Sequence, residues 1–283
     1  MLYRNFKNQS ELDAAYDPVT SGTDIPVYMD FYATNSSQVR KDLTCQLDVP
    51  YGATLEEHLD IFPAAQSQSP IVVFIHGGYW IMASSKDFSF VAKGLVEAGV
   101  TVVVINHALC PEVSIDEIVR QNRAAIAWIY RNANNFGGDA NLIYVSGHSA
   151  GGHLTTMLMS TNWEKDYGLP DNIIKGGCAI SGVFDLMPFP YTWLQPKLQL
   201  TWDQVLRNSP ILHIPRKAGS LIITYGGEEN SEFKRQSEDF LNAWKANGNQ
   251  GYYLPQPDKN HYNIINDFLE KNSPLCKAIL KQI

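Results

Sequence analysis

The pentapeptide Gly147-His148-Ser149-Ala150-Gly151 restricts the folds open to this chain more than any other segment. It follows an apolar run, Leu142-Ile143-Tyr144-Val145-Ser146, and precedes a segment able to form a helix, Gly152-His153-Leu154-Thr155-Thr156-Met157-Leu158-Met159. A strand that turns sharply into a helix at a serine needs small residues two before and two after it, because the backbone folds back on itself there. The helix that begins at the turn aims backbone N–H groups and the positive end of its dipole at an anion forming beside Ser149. The spacing therefore describes a nucleophile elbow, which belongs to a strand–turn–helix unit of a parallel sheet.

The surrounding pattern agrees. From about Pro70 onward, short β-rich runs alternate with helical patterns, as in a mostly parallel sheet covered on both faces. Residues 71–75 form a continuous apolar run suited to a central buried strand, and residues 100–105 are the next buried strand. Residues 85–98 read as one helix ended by Gly99. Ser114 and Glu117 have the spacing of a capping box opening a long helix, whose inner face carries Ile115, Ile118, Val119, Ile126 and Ile129. Further strands are expected at 177–180, 221–225 and 252–254. A helix over 231–246 should turn Phe233, Phe240, Leu241 and Trp244 inward, and short helices near 263–271 and after Ser273-Pro274 end the chain.

The first 65 residues read differently: a polar, turn-rich stretch at 17–22, then two strands near 43–49 and 58–62 that can pair antiparallel at the sheet edge. Residues 186–210, rich in Pro, Trp and Tyr, interrupt the alternation where a small cap would be inserted. The expectation is one α/β domain over residues 1–283, with an N-terminal extension and edge strands at 1–65. A chain of 283 residues can bury one large core.

Composition narrows the partners. A net charge of −7, with no basic run longer than two residues, argues against nucleic acid or an anionic membrane surface. Residues 1–7 lack the apolar stretch of a secretory signal. No run approaches the length of a membrane helix. The four cysteines, Cys45, Cys110, Cys178 and Cys276, are widely spaced and form no metal-ligand pattern. A cytoplasmic protein without metal or cofactor is expected, and a homodimer is allowed.

A second motif, His76-Gly77-Gly78-Tyr79-Trp80, directly follows the first central strand. A loop there can donate the N–H groups of Gly77 and Gly78 to an oxyanion, together with that of Ala150. His76 is expected to brace this loop. Chain order in such a fold runs serine, acid, histidine. Of the later histidines, His153 lies one turn past Ser149 and His213 precedes the 221–225 strand. His261 lies after the last strand, where a general base belongs. Spacing leaves Glu228 and Glu229 level as the acid, with Asp185 as an outside candidate. Tyr79, Trp80, Tyr191 and Trp193 are expected to line an aromatic substrate pocket.

With these motifs in view, the chain resembles the kynurenine formamidase (arylformamidase) branch of the α/β-hydrolase esterase/lipase superfamily. The matching segments are 10–17, Tyr51-Gly52, 76–80, Phe136-Gly137-Gly138-Asp139, 147–154, 181–186, 231–237 and His261. The resemblance implies an α/β-hydrolase fold and hydrolysis of an ester or of an aryl formamide such as N-formylkynurenine. That family's acid is an aspartate a few residues before a Glu-Phe pair. Aligning on Glu232-Phe233 favours Glu229, with glutamate replacing aspartate. The implied enzyme is a serine hydrolase using Ser149, Glu229 and His261 on a small-molecule ester or formamide. An amidase acting on a small catabolic amide and a non-catalytic binding module are the rival readings. A substrate panel separates the first rival, and retention of a complete Ser, acid and His set speaks against the second.

Overall fold

The computed structural model of the chain describes residues 1–19 and 23–283. The strands are β1 (Gln46–Pro50), β2 (His58–Phe62), β3 (Ser69–Ile75), β4 (Thr101–Ile105), β5 (Gly138–His148), β6 (Ile174–Ile180), β7 (Ser220–Gly226) and β8 (Gly251–Gln256). They form one sheet in the order β1-β2-β4-β3-β5-β6-β7-β8. Strand β2 is antiparallel to both neighbours, and every pairing from β4 to β8 is parallel. This is the α/β-hydrolase architecture expected from the sequence, with β1 and β2 as the antiparallel edge.

The helices are α1 (Gln9–Tyr16), α2 (Ile25–Asp42), α3 (Ala92–Glu97), α4 (Ile115–Asn132), α5 (Ala150–Met159), α6 (Trp163–Tyr167), α7 (Gln195–Leu198), α8 (Trp202–Arg207), α9 (Ser231–Ala246) and α10 (Pro274–Leu280). Period-two alternation along the strands divides the core. Val73, Val103, Val145 and Ile223 face α4, α5 and α9, whereas Phe74, Val104, Cys178 and Ile222 face α2, α3 and α10. The predicted inner faces of α4 and α9 are buried as expected. Each large side chain so buried contributes about 1.5–3 kcal/mol.

Three local expectations are corrected. The N-terminal region contains two helices where none was read. Helix α2 buries only Tyr32, Ser36 and Val39, a narrow stripe that includes a polar residue and so gives little hydropathy signal. Part of the polar stretch at 17–22, namely residues 20–22, lies outside the described residues.

The helix read over 85–98 is instead a 3₁₀ segment, Ser85–Val91, followed by α3. Helix α2 supplies the reason: Arg40 donates to the Lys86 carbonyl at 2.6 Å, and Ser36 bridges the Asp87 carbonyl and the Phe90 N–H. Those groups are no longer free for regular α-helical bonding.

The capping box at Ser114 is half formed. Its hydroxyl accepts the Glu117 N–H at 3.4 Å, but the Glu117 carboxylate turns to Arg120 and Gln121.

Candidate active site

Strand β5 ends at His148 and α5 begins at Ala150, which leaves Ser149 alone on the turn at φ 57°, ψ −117°. A non-glycine residue held there stores on the order of 1–3 kcal/mol of strain. The close approach explains the flanking glycines. A Cβ at Gly151 would run into the Ile75 carbonyl, and one at Gly147 into the Gly151 carbonyl. The turn is held by the Ser149 N–H on the Ile180 carbonyl at 2.8 Å.

Beside the turn, the loop after β3 approaches Ser149 closely: a Cβ placed on Gly77 would lie 3.1 Å from the Ser149 Cβ. Gly78, Tyr79 and Trp80 follow at φ 111°, 50° and 60°, a consecutive left-handed run. Among the described residues, the N–H groups of Gly77, Gly78 and Ala150 donate to no protein acceptor. The Tyr79 hydroxyl donates to the Tyr16 carbonyl at the end of α1. Burial holds that phenol well above the ordinary tyrosine range, so it stays a donor. Tyr16 in turn donates to Glu232 at 2.9 Å and accepts from Gln236 at 2.7 Å, which ties α1 to α9. His76 accompanies the loop, its Nδ1 2.8 Å from the Gly77 carbonyl, and burial lowers its pKa. The neutral ring therefore donates to that carbonyl.

His261 follows β8, and its Nδ1 lies 2.7 Å from Glu229 Oε2. Glu229 stands just beyond β7. Its other oxygen accepts from the Ser181 hydroxyl and from the Gly226 N–H, both at 2.6 Å. Glu228 is exposed, so the two neighbouring glutamates point to different surroundings. Asp185 does not reach His261; it accepts from the Tyr3 hydroxyl at 3.0 Å and from the Met187 N–H at 2.9 Å.

Two residues of this neighbourhood were not read from sequence. Ser181 sits at the end of β6, next to the strand carrying Glu229, and that adjacency is a signal only once strand order is known. His148, inside the pentapeptide, has Nε2 2.7 Å from the His261 carbonyl and its ring centroid 4.7 Å from that of His261. Burial and the neighbouring imidazole hold its pKa well below the usual range, so Nε2 carries the proton and donates.

His153 and His213 lie elsewhere. His153 donates to the Asn208 carbonyl at 2.7 Å, with its pKa pushed down to about 4 by burial. The Nε2 of His213 meets the Leu206 carbonyl.

Ser149, His261, Gly77 and Gly78 line a cavity of about 250 Å³. Of the four aromatic residues expected there, Tyr79 and Trp193 line it, whereas Trp80 and Tyr191 do not. The left-handed backbone turns Trp80 inward, edge-on to His153 at 5.1 Å and to Phe189 at 5.8 Å. Tyr191 packs on Trp202 within the 186–210 segment. The opposite wall comes from the N-terminal region, including Val19, Ile25, Met29 and Tyr32.

The same chain is recognisable by comparison. Residues 59–244 match the BD-FAE family model. A kynurenine formamidase of Danio rerio is 29% identical over 98% of this chain and 97% of its own length. One from Salmo salar is 33% identical over 84% of this chain and 81% of its own. A protein of Silicibacter sp. tm1040, provisionally described as a thioesterase, superposes with a TM-score of 0.85 at 27% identity, covering 95% of this chain and 99% of that one. An esterase of Pyrobaculum calidifontis shares the fold, with a TM-score of 0.73 at 16% identity over 97% and 96% of the two chains. The chain thus belongs to the BD-FAE family, is a hydrolase, and falls in the kynurenine formamidase-like branch of the α/β-hydrolases.

Proposed function

We propose that this protein is a serine hydrolase that cleaves a carboxylic ester or an aryl formamide through an acyl-enzyme. The observation that carries the reading is the Glu229–His261 pair at 2.7 Å, opening on the same cavity as a serine held in a strained turn. Glu229 fixes the imidazole with its proton on Nδ1, which leaves Nε2 to accept a proton from the Ser149 hydroxyl. Ser149 Oγ bonds to the substrate carbonyl carbon, and the carbonyl π electrons move onto oxygen. The N–H groups of Gly77, Gly78 and Ala150 receive that charge, each such donor typically worth about 2.7–4 kcal/mol in the transition state. His261 then returns its proton to the departing alcohol or arylamine as the C–O or C–N bond breaks. Water deprotonated by His261 attacks the acyl-enzyme and releases the acid with Ser149 restored.

Residues 186–210, together with α1 and α2, act in this reading as the small cap over the cavity. Among the described residues no helix is long and apolar enough to cross a membrane, and the four cysteines are free thiols, as suits a reducing cytoplasm.

The similarity to the two fish kynurenine formamidases over most of the chain supports a formamide among the substrates. Measuring kcat/KM for N-formylkynurenine, short 4-nitrophenyl esters and unactivated amides tests the reading. Turnover of esters or formamides with release of the acid is expected, and activity confined to unactivated amides would overturn it.

A further inference from the structure

His261 lies on the connection between β8 and a 3₁₀ segment, Asn263–Leu269, so no strand or helix of its own fixes its place. Glu229 holds the ring through one nitrogen, and His148 holds the main chain through the His261 carbonyl. A ring tied at one nitrogen can still swing about that bond. A reacting group displaced by about 1 Å can cost on the order of 10² in rate.

The residues on either side of His261 are tied to helix α2. Tyr32 donates its hydroxyl to the Tyr262 carbonyl at 2.6 Å, and Asn260 donates its side-chain amide to the Tyr28 hydroxyl at 2.9 Å. The rings of Tyr28 and Tyr262 stack at 5.3 Å. Asn260 carries the hold through the loop, because its side-chain oxygen accepts the Tyr262 and Asn263 N–H groups, both at 2.9 Å. Burial keeps the Tyr32 phenol well above the ordinary tyrosine range, so it remains a donor.

Helix α2 is itself anchored. Tyr28, Tyr32, Ser36 and Arg40 recur every four residues and so share one ridge of the helix. Ser36 and Arg40 bind the 3₁₀ segment Ser85–Val91, and the Tyr32 ring stacks on Phe90 at 5.1 Å. One ridge thus joins the segment downstream of the Gly77-Gly78 loop to both neighbours of His261. Packing alone would require neither phenol hydroxyl, since phenylalanine fills the same space.

We infer that Tyr28 and Tyr32 are positioning residues for the general base: helix α2 holds the His261 loop from both sides and keeps the imidazole within reach of the Ser149 hydroxyl. The inference rests on the Ser149–His261 hydrolase reading and adds α2 to the machinery of that site.

Tyr32→Phe and Tyr28→Phe, each made in the full-length protein and again in a His261→Ala background, test this with a 4-nitrophenyl ester below the melting temperature of every variant. With His261 present, kcat should fall about tenfold in Tyr32→Phe and about threefold in Tyr28→Phe, with KM within about twofold in both. With His261 removed, neither substitution should change the residual rate by more than about twofold, because the group they position is gone. An unchanged kcat in Tyr32→Phe, a loss confined to KM, or the same fold-loss in both backgrounds overturns the inference while leaving the hydrolase reading in place. If Tyr32→Phe does not fold, Tyr28→Phe, at a half-buried position, decides by the same criteria. A His261→Ala variant as active as wild type would instead overturn the hydrolase reading, and this inference with it.

Discussion

The imidazole of His261 and the carboxylate of Glu229 meet at 2.7 Å with side-chain exposures of 5% and 0%, and the second carboxylate oxygen is filled by Ser181 and Gly226. A buried carboxylate with both oxygens occupied can neither rotate away from the ring nor trade its partner for water. Glu229→Gln should therefore lower kcat by on the order of 10³–10⁴. Glu228→Gln, at an exposed position, should change it by less than about twofold. Steady-state kinetics on a 4-nitrophenyl ester checks both, and the reverse ranking would move the acid by one residue.

Tyr79 anchors the left-handed loop by donating to the Tyr16 carbonyl. Tyr79→Phe removes the donor, leaves a buried carbonyl unpaired and loosens the N–H groups of Gly77 and Gly78. A kcat about tenfold lower with KM within about twofold is expected, because the loss falls on transition-state charge rather than on ground-state binding. An equal change in KM alone would point to a packing role only.

His148 holds the His261 main chain through a 2.7 Å hydrogen bond. His148→Ala should lower kcat by about tenfold while Ser149 remains reactive toward a small covalent inhibitor. His148→Gln, whose amide can donate to the same carbonyl, should recover part of the loss. If Gln and Ala behave alike, the hydrogen bond does not position His261.

Four buried histidines, His76, His107, His148 and His153, have pKa values depressed first by burial. A base whose pKa is lower in the folded state binds more protons when unfolded, so its penalty is absent above about pH 6.5 and grows as pH falls below that value. Stability should be flat between about pH 7 and 8 and should decline between about pH 6.5 and 4. The carboxylates lowered by arginine partners, Glu57 and Glu117 among them, add to the loss only below their unfolded values near 4.5. For His153, with a folded value of about 4, the contribution at pH 5 is about 2 kcal/mol. Urea unfolding at pH 7.5 and 5 should show His153→Gln narrowing the gap between the two pH values by that amount.

The sequence revealed the site where chemistry dictates spacing and left it open where only side-chain direction decides. The turn at Ser149 was legible because two glycines are needed at fixed positions, and β3 and β4 were legible from the apolar runs at 71–75 and 102–105 within them. Glu228 and Glu229 are adjacent and chemically alike, so spacing leaves them level; the family resemblance favours Glu229, and the fold turns Glu229 inward and leaves Glu228 exposed. Trp80 and Tyr191 were placed in the pocket on aromatic character alone, which says nothing of the backbone angle that aims Trp80 at His153. Helix α2 escaped notice because one of the three residues it buries is Ser36, whose hydroxyl bonds to the segment beneath it.

Covalent capture of the nucleophile bears most directly on the proposed chemistry. A fluorophosphonate should add once to the protein, at the peptide containing Ser149, and abolish ester turnover in proportion to labelling. Ser149→Ala should stay unlabelled and inactive while retaining its circular dichroism spectrum. Labelling at another residue, or a Ser149→Ala variant that still hydrolyses the ester at a rate near wild type, would contradict the assignment of Ser149.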